Sequence, residues 1–212
     1  MITVWGRATS SNVQIVMWAL AELKLACKRI DVGGSFGGTD TPEYIRMNPN
    51  RLVPTIQDGD LTLWESAAIV RYLGARYGDE QFWPQDPAKR APIDKWAEWS
   101  KTSLAPTLLA GIFPQTVLLP QDKRDPKALA AAVERIGRLA PMLDARLAES
   151  PYLGGDRLAF GDGIAGTLLY RYFTPPFARV ETPNLRAYYD RLAERPAYRE
   201  HAMVSYESLR PK

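Results

Sequence analysis

The sequence predicts an α/β unit followed by an all-helical unit, and three observations lead there. Short β-forming runs alternate with helical periodicities as far as Tyr77. A stretch dense in chain-breaking residues follows at 78–87, Gly-Asp-Glu-Gln-Phe-Trp-Pro-Gln-Asp-Pro. Beyond it only helical periodicities remain.

Taken in order, residues 2–5 form an apolar run expected as the first strand, and Val13, Val16, Met17, Leu20 and Leu23 mark one stripe of a helix over about 11–24. A second strand is expected over 28–32 and a short helix over 42–47, opened by Pro42. Strands over 55–57 and 61–63 flank the turn Asp58-Gly59-Asp60, and a helix over 65–77 places Ile69, Val70, Leu73 and Tyr77 on one face. After the linker, a helix from 88 to about 111 carries Trp96, Trp99, Ser103 and Leu104. Pro106 falls inside it and is expected to kink or end it, because the ring removes a donor and crowds the preceding turn. Residues 113–126 read as a loop. Ala132, Ile136, Leu139, Leu143 and Leu147 give helical spacing over 127–149, and further short helices are expected to start at Asp162, Asn184 and Pro196.

Composition bounds the function. With 212 residues, 46% of them hydrophobic, the chain can bury a sizeable core as one large or two small domains. No apolar run approaches the ~18 residues that cross a bilayer. The N-terminus enters a strand directly, without a basic segment and apolar signal region, so a soluble cytoplasmic protein is expected. A net charge of +3 is spread over both halves, and the basic residues of 135–146 are interleaved with Glu134, Asp144 and Glu149 as on a solvated helix face. Nucleic-acid binding is therefore not expected, while a mild positive potential suits an anionic small substrate. The single Cys27 rules out an intrachain disulfide framework. The glycines of 33–38 lack the arrangement of a nucleotide loop, and no metal site is expected.

Two stretches carry candidate chemistry. In Asn48-Pro49-Asn50-Arg51-Leu52-Val53-Pro54-Thr55, strand-forming residues flank Pro54. A proline so placed sits at a strand edge or follows a cis bond in a tight turn, and either bend exposes the backbone of Val53 to a ligand. Glu65 and Ser66 then open a helix whose free N–H groups and dipole favour a carboxylate, while Glu65 can hold an ammonium. An amino-acid head carries both charges. Ordinary capping also accounts for this pair. The second stretch is Arg7-Ala8-Thr9-Ser10-Ser11-Asn12, between the first strand and the first helix. Four consecutive hydroxyl or amide side chains exceed what one N-cap requires.

Together these features resemble the soluble glutathione transferases: a strand, a serine-rich helix start, a strand, Asn-Pro-x-x-x-Val-Pro-Thr, a hairpin, Glu-Ser-x-Ala-Ile and a Pro-rich linker. Phe160-Gly161-Asp162 resembles the family's buried Asp-capped helix, and residues 183–192 with Arg195-Pro196-Ala197-Tyr198 resemble its last helices. The resemblance implies a thioredoxin-like βαβαββα domain over 1–80 that binds glutathione, and an all-helical domain over 89–212 that supplies a hydrophobic pocket. It also implies a homodimer and a reaction in which the glutathione thiolate attacks a hydrophobic electrophile or a peroxide.

The same resemblance assigns roles. Ser10 stands where serine-type members carry the hydroxyl that activates the thiol, with Ser11 and Thr9 as alternatives one register away. Asn12 and Arg51 join the binding set, Val53 before Pro54 would pair its backbone with the cysteinyl unit, and Glu65 and Ser66 would hold the γ-glutamyl ammonium and carboxylate. Trp99, Ser103, Pro106, Leu109 and Phe113 would line the electrophile pocket, although such stripes are more often core. Leu52 replaces the Gln or Lys common in the family, residues 36–39 offer no Lys or His to the glycine carboxylate, leaving Arg51 or Arg7, and Ala159 leaves the capping box with Asp162 half complete. Cys27 is expected to be a buried inert thiol and His201 structural or superficial. A non-catalytic regulator or interaction protein of the same fold is the second class of function to be tested.

Overall fold

The computed structural model describes residues 1–211. Its first part runs β1 (Ile2–Trp5), α1 (Ser11–Glu22), β2 (Cys27–Ile30), α2 (Pro42–Met47), β3 (Thr55–Asp58), β4 (Leu61–Trp64) and α3 (Ser66–Tyr77), in the expected βαβαββα order. The strands form one sheet in the order β2-β1-β3-β4. β1 and β2 are parallel with Ile2 opposite Cys27, β1 and β3 are antiparallel with Trp5 opposite Thr55, and β3 and β4 form the hairpin. Ile2, Val4 and Ile56 of the sheet pack against Val16 and Leu20 of α1 and Ile69 and Leu73 of α3. Strand ends differ from the expected bounds by one or two residues, and β2 begins at Cys27 and ends at Ile30 instead of spanning 28–32.

The second part is helical. It comprises α4 (Pro87–Trp99) with its continuation, α5 (Pro126–Glu149), α6 (Phe160–Gly166), α7 (Leu169–Phe173), α8 (Pro183–Ala193) and α9 (Pro196–His201). Asp162 sits in the first turn of α6 two residues after its start, and α7 was not anticipated from sequence.

The helix does not end at Pro106, and the loop expected over 113–126 begins only after Leu118. Helical backbone continues from α4 to Leu118, with wide π-type turns over Ser100–Leu104, Thr107–Ile112 and Pro114–Leu118. Pro106 itself keeps helical angles, φ −60 and ψ −42. The proline costs the helix a donor, and wide turns shift the remaining pairings, so carbonyls need other partners. Hydroxyls add bonds to carbonyls one turn back: Ser100 donates to the carbonyl of Trp96 at 2.7 Å, Thr102 to Glu98 at 2.9 Å, Thr107 to Ser103 at 2.8 Å and Thr116 to Ile112 at 3.0 Å.

α1 joins the two parts. Val16 and Leu20 face the sheet, Ile15 and Ala19 pack with Ile93 and Ala97 of α4 and Phe160 and Ile164 of α6, and Trp18 enters the helical core beside Tyr198. A helix apolar all round in this way must be buried on every side. Gly166 permits the approach, since a Cβ there would lie 2.6 Å from Leu192 Cδ1 and 3.2 Å from the Trp18 ring. The Trp18 indole N–H donates to Glu22 at 2.8 Å, and Arg195 Nε donates to the same carboxylate oxygen at 2.8 Å.

Candidate active site

The candidate site forms where β1 passes into α1. Gly6 is fixed by its N–H to the Ile30 carbonyl at 2.8 Å, and a Cβ on Gly6 would lie 2.4 Å from Val13 Cγ2, so the loop lies flat against the first turn of α1. Gln14 donates to the Ala8 carbonyl at 2.9 Å and ties the loop down from inside the helix. Ser10 is the N-cap residue, with extended angles of φ −80 and ψ 124, and its carbonyl accepts the first helical bond from Gln14 at 2.9 Å. Its side chain makes no capping hydrogen bond, and no acidic residue lies in the first turn. The partly exposed Ser10 hydroxyl and the open N–H groups of α1 are therefore both available to an anion. The Ser11 hydroxyl is buried and accepts a hydrogen bond from Arg171 at 2.8 Å. Thr9 contributes its carbonyl to the same arginine.

The proline turn lies beside this loop. The Val53–Pro54 bond is cis, which decides between the two readings of the sequence. Buried Asn48 donates to the Leu52 carbonyl at 2.9 Å and to Thr55 Oγ1 at 3.1 Å, and Tyr44 donates to the Leu52 carbonyl at 2.7 Å. With its proton so used, the Tyr44 oxygen is left to accept from the Thr55 hydroxyl 3.0 Å away. The Asn-Pro-x-x-x-Val-Pro-Thr pattern is thus a braced turn. Among the described residues, the N–H and carbonyl of Val53 find no partner.

A third group sits at the start of α3. Glu65 is its N-cap with φ +69, a left-handed conformation that a non-glycine residue rarely adopts, and it makes no capping bond. Ser66 is buried and donates to Asn12 Oδ1 at 3.2 Å. Lys101, arriving from the π-type turn after α4, donates to Asn12 Oδ1 at 2.7 Å and to Ser66 Oγ at 3.1 Å. Burial pulls the Lys101 ammonium below its ordinary value, and the charges of Glu65 and Glu98 oppose that pull. The helical part thus places one cation between the two helix starts of the sheet part. Sequence reading did not single out Lys101; the signal available was its place four residues after Ala97, at the edge of a buried stripe.

The remaining candidates are dispersed. Arg51 is exposed, has φ +56 and, among the described residues, makes no side-chain hydrogen bond or ion pair, whereas Arg7 lies over the glycine loop, within 3.0–3.5 Å of where side chains on Gly33 and Gly34 would begin. Trp99 meets Trp96 edge to face at 5.3 Å, Ser103 and Leu109 are partly buried, and Pro106 is exposed. Phe113 is buried beneath Arg171, whose Cζ stands 4.6 Å from the ring centroid, and stacks edge to face on Tyr206 at 5.1 Å. Cys27 is half-buried rather than buried, and burial raises its thiol pKa. It shares a cleft of about 540 Å³ with Ala8, Gln14, Met17, Arg29 and His201, and Ser10 is not among the lining residues.

Comparison with known proteins fits this geometry. Residues 1–75 match the family described as glutathione S-transferase, N-terminal domain, and residues 107–196 match glutathione S-transferase, C-terminal domain. The chain is similar to glutathione S-transferase GstB of Escherichia coli, at 39% identity covering 96% of this chain and 99% of that protein. It is also similar to glutathione S-transferase 4 of Zea mays, at 30% identity covering 92% and 89%. Among solved structures, the theta class glutathione S-transferase of Xanthomonas axonopodis pv. citri with glutathione bound superposes with a TM-score of 0.92 at 46% identity, covering 96% of this chain and 98% of that one. Full-length likeness in sequence and in fold, on a chain whose braced proline turn and two helix starts converge, places the protein in the glutathione S-transferase family.

Proposed function

We propose that the protein takes glutathione as co-substrate and activates its thiol with Ser10. The observation that carries this reading is the Ser10 hydroxyl itself, placed at the N-cap of α1 and unused by the cap. A free thiol ionises near pH 8.5, so only a few per cent is thiolate at neutral pH. One hydrogen bond donated to the anion, worth about 1.5–3 kcal/mol, lowers that pKa by about one to two units, and the N-terminus of α1 acts in the same direction. The thiol proton passes to solvent. The thiolate then attacks an electrophilic carbon, forming the C–S bond as a leaving group departs with its electron pair or as charge moves onto an activated acceptor. With a peroxide, the thiolate attacks one oxygen, the O–O bond breaks, and the other oxygen leaves with the electron pair and takes up a proton as the alcohol or water. The resulting sulfenic acid is reduced by a second glutathione, giving the disulfide and water.

In this reading the unpaired backbone of Val53 binds the cysteinyl unit, Glu65 holds the γ-glutamyl ammonium, and Ser66 with Lys101 holds its carboxylate. The strained φ of Glu65 suits a residue kept for binding. Arg7 is better placed than Arg51 for the glycine carboxylate, because it already lies over the loop at 33–34. The hydrophobic co-substrate would meet the helical face bearing Trp99, Ser103 and Pro106, with Phe113 buried behind it. Residues 1–80 and 89–212 would act as the glutathione-binding and pocket-forming domains of a cytoplasmic homodimer. Calorimetric titration with glutathione tests the assignment of the γ-glutamyl site. Ser66→Ala is expected to weaken binding tenfold or more, the loss of one buried bond to a charged group, while Lys89→Ala on the exposed face of α4 leaves it unchanged. Equal affinities in the two variants would refute it.

A further inference from the structure

Arg171 of α7 is enclosed, 5% exposed, behind the loop that carries Ser10. Its Nη1 donates to Ser11 Oγ at 2.8 Å, its Nη2 to the Thr9 carbonyl at 2.5 Å, and its Nε is buried without a partner. Phe113 lies against the guanidinium face. None of these partners is charged. Among the described residues neither Arg171 nor Arg7 forms an ion pair with a carboxylate. The ionisable groups that face it are Arg7 from the loop after β1, Tyr170 from its own helix and Tyr206 from the C-terminal stretch, with Glu207 beyond Tyr170. Burial, reinforced by the charge of Arg7, pulls the guanidinium down to about 10, which still leaves it protonated at neutral pH.

A buried cation without a counter-ion is among the costlier arrangements a fold can hold. Here it grips the residues on both sides of Ser10, holding the Ser11 side chain buried while Ser10, partly exposed, keeps a hydroxyl that caps nothing. Resting on the reading of Ser10 as the thiol's hydrogen-bond donor, we propose that Arg171 is the standing counter-charge of the thiol site, a positioning residue that fixes Thr9 to Ser11 around Ser10 and favours thiolate over thiol. The anion that completes the pair arrives with glutathione. A unit charge within about one Debye length, at an effective dielectric constant of about 20, shifts a thiol by on the order of one pKa unit.

The test is the pH titration of glutathione's thiolate absorbance on the protein, in wild type, Arg171→Met, Arg171→Lys and Ser10→Ala, with S-methylglutathione affinity measured alongside. Arg171→Met is expected to raise the bound thiol pKa by about one unit, with S-methylglutathione affinity held within about twofold, and Arg171→Lys to retain most of the depression. An equal rise in Arg171→Met and Arg171→Lys, or no rise in either, would make Arg171 a packing tie and overturn the inference. A rise in Arg171→Met with none in Ser10→Ala would keep the counter-charge and overturn the Ser10 reading instead. Should Arg171→Met fail to fold, Arg171→Gln takes its place: a rise in the bound thiol pKa of about one unit is expected, and no rise, or a rise equal to that of Arg171→Lys, overturns the inference.

Discussion

At the scale of the residue, the site is made of side chains that the fold leaves uncapped, strained or desolvated. Ser10 caps nothing, Glu65 holds a left-handed φ of +69 without a capping bond, and Lys101 sits desolvated between Asn12 and Ser66. Glycine adopts the Glu65 conformation freely, so Glu65→Gly should stabilise the fold by about 1 kcal/mol in urea unfolding while weakening glutathione binding tenfold or more. A variant that binds as tightly as wild type would remove Glu65 from the site. Lys101 gives a pH dependence with a defined sign. Its folded pKa lies below the unfolded value near 10.4, so in the window between them the unfolded chain holds more protons and stability rises with pH. The rise should vanish in Lys101→Met. A slope unchanged by the substitution would show that other groups produce it.

At the scale of the element, the braces matter more than intrinsic propensity. Asp162 in the first turn of α6 is fully buried and accepts from the backbone N–H of Leu153, Gly154 and Ala159 at 2.8, 3.3 and 2.8 Å, and from the Tyr188 hydroxyl at 2.7 Å. Ala159 has no side-chain oxygen to return the bond, so the capping box is half complete, as its sequence implies. Asp162→Ala would orphan several buried donors at once and should cost about 3–5 kcal/mol, read from the urea midpoint at constant m-value. A loss below 1 kcal/mol would show that water replaces the carboxylate. The π-type turns after α4 show what local reading misses. Pro106 signals a break, but the hydroxyl bonds of Thr107 to Ser103 and Thr116 to Ile112 form only once the helix exists. Conversely α2, opened by Pro42, is legible to the residue because that signal is local, and Thr41 caps it by accepting from Tyr44 at 3.2 Å.

At the scale of the whole molecule, the order of elements and the two helix starts could be read from periodicity and breakers, since each depends on neighbours within a turn or two. What could not be read is contact across the two parts. Lys101 reaches Asn12 across 89 positions, and Arg171 reaches Ser11 across 160. On the sequence each is one basic residue on a helix, and only the packing of α1 into both cores brings them to the same loop. Phe113 shows the converse, read as pocket wall and found beneath a guanidinium. The central claim, that this assembly presents Ser10 to a thiol and stabilises its anion, is tested most directly by the thiolate titration of bound glutathione in wild type and Ser10→Ala. A bound pKa one to two units below the free value of about 8.5, rising by about one unit or more in the variant, is the expected result. A bound thiol that titrates at the free value in wild type, or identically in both proteins, would contradict it.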